Sequence, residues 1–186
     1  MKIHQLSVNY QAEQDRIFMR VNTSASEEIR LWLTRRLMLG LWPLLSKLLT
    51  QHLLKLESAG TSLETADEDL KKMLADFRKE QFLQQADFDT PYDENQAVLP
   101  LGADPVLVTD VDATPLPNGR LRLSFNERMP GGKEPRSFQI EMEPQLMQGL
   151  MHLLEQALAR SQWQEPFAQG AADESGDDAR KPRYLN

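Results

Sequence analysis

Two stretches of this chain place carboxylates at alternate positions, Asp110-Val-Asp112 and Glu141-Met-Glu143. A spacing of two puts both members of a pair on one face of a strand, where their oxygens could hold a hard cation. The three histidines, His4, His52 and His152, belong to no HExxH arrangement and have no closely spaced carboxylate. Cysteine is absent, so disulfides and thiolate chemistry are excluded and zinc would need His and carboxylate ligands alone. Gly131-Gly132 falls between two apparent strands rather than before a helix, which is the wrong place for a phosphate loop. No serine sits in a recognisable nucleophile elbow. Paired carboxylates of this kind are common on solvated sheet faces. The chain therefore reads as non-catalytic, with no cofactor and no metal. An enzyme whose site is assembled from distant residues is the third-ranked alternative.

A second constellation concerns binding. On alternating strands the outward positions hold Arg16, Phe18, Arg20, Arg30 and Trp32, joined from later in the chain by Arg120 and Arg122. Guanidinium groups interleaved with rings suit single-stranded nucleic acid, the cations meeting phosphates and the rings meeting bases. The competing expectation is that Phe18 and Trp32 are covered by another part of the chain or by a second subunit, with the arginines paired to Glu28 and Glu141.

The elements that must position these residues follow from periodicity. Residues 3–10 read as a strand with Leu6, Val8 and Tyr10 on one face. Residues 16–23 follow, with Ile17, Met19 and Val21 inward, and then 28–33, with Ile29, Leu31 and Leu33 inward. The short connections predict an antiparallel meander. Thr34 suits an N-cap for a helix running to about Glu57. Apart from one narrow polar stripe, that helix is Leu, Met and Trp nearly all round, so it must bury more than one side. Trp42, Leu45, Leu49 and Leu53 are its candidate oligomer contacts. Pro43, about two turns in, should remove a hydrogen bond and kink it.

Thr61 or Thr65 is expected to open a second helix, since each has Glu three residues on. Its apolar stripe is Leu70, Met73, Leu74, Phe77 and Phe82, opposite a solvated charged face. Residues 87–105 hold Pro91, Pro100 and Pro105 and read as an irregular connector. Strands are expected at 106–113, 120–127 and 136–142, the last giving way at Pro144 to an amphipathic helix. In that helix Gln148, His152, Glu155 and Gln156 oppose Leu146, Leu150, Leu153 and Leu154. From Glu165 the pattern lapses, and Arg180–Asn186 is a possible docking peptide.

The two leucine-rich helices echo each other. Leu37, Met38, Gly40 and Leu41 fall on Leu146, Met147, Gly149 and Leu150, and Leu44, Leu45 and Leu49 fall on Leu153, Leu154 and Leu158. The expected fold is α+β: two β-β-β-α pseudo-repeats, 1–57 and 106–163, joined by an acidic spacer helix and Pro-containing connector over 58–105 and followed by a disordered tail, 164–186. Charge supports that division. The first segment has eight basic and five acidic side chains, whereas the spacer has four and eleven. Net acidity disfavours general nucleic-acid affinity without excluding a local basic face. The opening MKIHQLSVNY lacks the regions of a signal peptide, and residues 37–56 are too charged and too notched for a membrane span. A cytoplasmic protein with no membrane contact is expected.

The junction Leu31-Trp32-Leu33-Thr34-Arg35-Arg36 resembles that of a group of small bacterial proteins in which two strands lead into a leucine-rich helix. The resemblance covers about the first third of the chain and implies a fold junction, with no established activity attached. Repeated meander-plus-helix units are also found in Whirly and Pur-type single-strand binders, though with four strands per repeat instead of three, so that likeness is one of topology. The function expected is a non-catalytic interaction or adaptor protein that contacts another protein or a second copy of itself as a homodimer. Nucleic acid is the rival partner.

Overall fold

The computed structural model of the protein describes residues 2–58, 68–88, 90–93, 98–128 and 135–163. Its first strands are β1 (Ile3–Gln11), β2 (Arg16–Thr23) and β3 (Glu28–Thr34), paired antiparallel in chain order. The register aligns the inward residues in rows: Val8 opposes Met19, which opposes Leu31. Asp15 and Ser26 take left-handed backbone angles in the two tight turns, a conformation that short polar side chains tolerate. Thr34 caps the first helix, its hydroxyl accepting from the Leu37 N–H at 3.3 Å. That helix, α1 (Arg35–Ser58), carries Pro43 within it, on its exposed side.

The second helix, α2 (Glu68–Gln85), lies on the later helix through a Lys79–Glu155 ion pair of 3.6 Å. The expected caps Thr61 and Thr65 lie outside the described residues. The described part of its apolar stripe is not buried as the pattern suggests: Phe82 packs on the core, while Leu70, Met73 and Phe77 are 49%, 68% and 62% exposed.

The strand expected over 106–113 is divided. β4 (Val106–Val108) pairs in parallel with β3, Leu31 opposite Val106, and so completes the first sheet. One residue later β5 (Asp110–Pro115) pairs antiparallel with β6 (Leu121–Glu127), which pairs with β7 (Arg136–Met142). Thr109 is the joint, its N–H donating to the Asn126 carbonyl at 2.8 Å. Helix α3 (Pro144–Ser161) follows with Pro144 in its first turn. The protein is thus α+β, with sheets ordered β1-β2-β3-β4 and β5-β6-β7 and three α-helices among the described residues.

The core is one continuous cluster that draws on both sheets, α1 and α3. Each long helix touches strands from both ends of the described chain, and α3 also meets β7. α3 packs along β1, and α1 packs along both β3 and β5. Two polar residues inside helices are buried, one of them against expectation. Gln148, expected on the solvent side of α3, is 3% exposed. His52 is buried, with Nε2 2.8 Å from the Gly119 carbonyl.

Candidate interaction surfaces

The arginine-aromatic residues do come together, on the outer face of the first sheet. Register sets Phe18 beside Trp32 and Arg20 beside Arg30, with Arg16 at the end of the sheet opposite Thr34. The Phe18 and Trp32 rings lie 4.7 Å apart, and both are half-buried. The connector crosses this face: the Arg20 guanidinium stands 4.1 Å from the centre of the Tyr92 ring, and Asn22 donates to the Asp93 carbonyl at 2.9 Å. Glu28 is buried and accepts from Arg30 Nε at 2.5 Å and from the Tyr92 hydroxyl at 3.0 Å. Burial, followed by the bond to Glu28, raises the Tyr92 phenol above its ordinary pKa. Sequence reasoning missed Tyr92, because nothing local in a Pro-containing connector says which sheet it crosses.

Arg120 and Arg122 belong to the other sheet. Arg122 Nη2 lies 2.6 Å from Glu141 and Arg120 Nη2 lies 3.0 Å from Glu143. The bond from Arg122 is the first cause of a lowered Glu141 pKa. The other carboxylate pair, Asp110 and Asp112, is bridged by Asn126 Nδ2 at 3.0 and 3.1 Å, and Arg128 Nε lies 3.1 Å from Asp110. These carboxylates serve as partners for cations and amides of their own sheet. Among the described residues, no group of three or more His, Asp or Glu side chains is placed to hold a metal ion.

Two clasps hold the connectors. Glu127 is buried, takes both Nε and Nη2 of Arg136 at 2.5 and 2.9 Å, and accepts from the Leu107 N–H at 2.8 Å. Arg136 also donates to the carbonyls of Leu101 and Asp104. Its bond to Glu127 is the first cause of a raised Arg136 pKa. At the far end of the core Trp163 is buried against Tyr10, ring centres 5.6 Å apart, and its indole N–H donates to Asp15 at 2.6 Å. That bond, then one from the Tyr10 hydroxyl, lowers the Asp15 pKa.

On α1, Leu45, Leu49 and Leu53 are buried within the chain and Trp42 is half-buried. Among the described side chains of that helix, the exposed large hydrophobics are Leu44, 66% exposed, and Leu39, 43% exposed. Between α3 and the start of β1 lies a cleft of ≈ 800 Å³, with Leu6, Leu146 and Leu153 along its floor and His4, Glu141 and Glu143 at its rim. The connector residues Ala86–Phe88 close one side, the Phe88 ring lying 5.1 Å from that of His152. No helix among the described residues is long and apolar enough to cross a membrane. Comparison with family models, curated proteins and solved structures gives no match to the chain.

Proposed function

We propose that this is a non-catalytic interaction protein, built by internal duplication, that works through protein–protein contacts. Each half runs three antiparallel strands into a helix that reaches the other half, and the matched Leu-Met-x-Gly-Leu segments open the two helices. That order supports duplication, since two meanders with one helix each bury best by exchanging their helices.

The observation that carries the reading is the bare row Leu70, Met73 and Phe77 on α2. Residues three and four apart share a helix face, so these form one contiguous apolar stripe, and a stripe left in water marks a contact surface. Its flanks identify the first partner to test. On a helical wheel drawn from the sequence alone, Asp69, Asp76 and Glu80 fall to one side of the stripe positions and Lys71 and Arg78 to the other. A parallel second copy, related by a two-fold axis along α2, brings acid to base on both sides. An antiparallel copy sets like charges together. The contact is therefore a parallel homodimer through α2.

Sedimentation velocity over a dilution series of the full chain should show a monomer–dimer equilibrium, and Phe77→Asp should leave only monomer with an unchanged circular dichroism spectrum. A chain that is monomeric at every concentration would remove self-association from the proposal. The rival, single-stranded nucleic acid, has less support because Arg30, Arg120 and Arg122 already face carboxylates. Retardation of a short oligonucleotide at low salt, lost with Trp32→Ala, would reverse that order.

A further inference from the structure

The molecule has a second recess built to the same plan as the cleft. A groove of ≈ 630 Å³ runs between α1 and the β4–β5 run. Leu37, Gly40 and Leu44 line it from the helix. Shifted by 109 positions, Leu146, Gly149 and Leu153 line the cleft from α3. Leu107–Val111 form the strand wall of the groove, as Lys2–Leu6 form that of the cleft. At both glycines a methyl group would meet nothing within 4 Å, so each notch opens into its recess.

The two recesses differ in what covers them. Over α3 lie α2 and the connector, through Lys79–Glu155 and Phe88–His152. Leu153 is accordingly half-buried and packed on the core, and Gln148 is 3% exposed. The corresponding positions on α1 are Leu44, a groove residue, and Leu39, outside the groove lining, and both are exposed. Leucine stands bare where its counterpart buries even a glutamine, which runs against the ordinary cost of burial. Something is missing from α1 that α3 has.

In chain order, the segment that covers α3 is the one that follows α1. The segment that follows α3 is residues 164–186, which lies outside the described residues. It starts beside the groove: the Trp163 carbonyl accepts from Arg35 Nη2 at 3.4 Å, and Thr34 and Arg36 are groove residues. Four extended residues past Trp163 span about 13 Å, and the groove runs about 15 Å along the helix from Thr34 to Leu44. The fourth is Phe167, preceded by Glu165-Pro166, much as Phe88 is preceded by Asp87. Arg36, exposed at the groove mouth, offers the charge that Glu165 needs.

We infer that the groove between α1 and β4–β5 is the seat of this chain's own C-terminal segment, 164–186, with Phe167 as the apolar anchor. The inference rests on the duplication proposed above and is independent of the α2 contact.

Because the chain has no cysteine, Ala168→Cys gives a single site for a nitroxide on the full-length protein. Paramagnetic broadening should then remove most of the amide signal of Gly40 and of Leu107–Val111 while sparing the equivalent Gly149 and Ile3–Leu6. Adding Phe167→Ser to the labelled chain should restore those signals. Uniform weak broadening, or broadening that survives Phe167→Ser, overturns the inference. Broadening seen in isotope-labelled, spin-free chains mixed with spin-labelled, isotope-free ones would put a second copy in the groove, and overturns it as well. Phe77→Asp in the same background separates the two proposals, since it should abolish the dimer and leave the groove signals broadened.

Discussion

Asp15 shows how much one exposed carboxylate does when it is aimed at a buried ring. It accepts from the Trp163 indole N–H and the Tyr10 hydroxyl, and those bonds hold its pKa below the ordinary carboxylate value. A carboxylate whose folded pKa is depressed contributes stability above its unfolded pKa, about 3.9, and that contribution is lost as pH falls through the folded value. Trp163 emission should therefore be flat from neutral pH down to about pH 4 and shift below it. Asp15→Asn, which keeps the tolerance for the left-handed angle, should remove that acid step. Glu127 and Arg136 make a different case, because Glu127 is buried. Arg136→Met should cost about 3 kcal/mol in urea unfolding, toward the lower end for a broken buried pair because Arg136 is about one-third exposed. Pairing it with Glu127→Gln should recover most of the loss, since the amide still accepts from the Leu107 N–H. The sequence does carry a signal for Glu127, which continues the inward alternation of Leu121, Leu123 and Phe125. Asp15 carries none, because its partner is 148 residues away.

Among the elements, strands and helices with a strict period were legible. β1 to β3, β6 and β7 fall within a residue of where alternation places them, and Thr34 caps α1. Legibility failed where two periods or two partners compete. The run from Val106 to Pro115 keeps a period of two but changes phase, Val106 and Val108 being buried and then Val111 and Ala113 packing on the core, where Thr109 splits it between a parallel and an antiparallel neighbour. Periodicity shows which way a side chain points and is blind to which strand lies alongside. The stripe on α2 failed for a related reason: an apolar row shows which face wants cover, not whether the chain supplies it. Of the interaction surfaces, the clustering of Arg16, Phe18, Arg20, Arg30 and Trp32 was readable from alternation, but Tyr92 and the bare Leu39 and Leu44 were not. The glycine notches yield a prediction at this scale. Gly149 lies inside α3 with open space where a Cβ would go, so Gly149→Ala should stabilise the protein by about 0.5 to 1 kcal/mol through helix propensity. In a chain of this length that is a rise in Tm of roughly 1 to 4 °C, read by calorimetry.

At the scale of the whole molecule, the exchange of helices decides how it comes apart. α3 covers β1, α1 reaches β5, and β4 completes the first sheet from the second half of the sequence. The core is one cluster drawn from both sheets, α1 and α3, so the protein should unfold as a unit. Tryptophan fluorescence and far-ultraviolet circular dichroism should report one coincident urea transition. Two midpoints would mean that the halves are separate folding units after all. The same exchange sets a timetable during synthesis. β1 leaves the ribosome well before α3, the helix packed along it, which ends at Ser161. At about 5 to 20 residues per second, the completed meander waits roughly six to twenty-five seconds for that helix. Through that interval α1 can lie along β3, but the β1 side of the inner face, around Val8, lacks its helix. A nascent chain stalled before residue 144 is therefore a client for a chaperone rather than a half-finished domain.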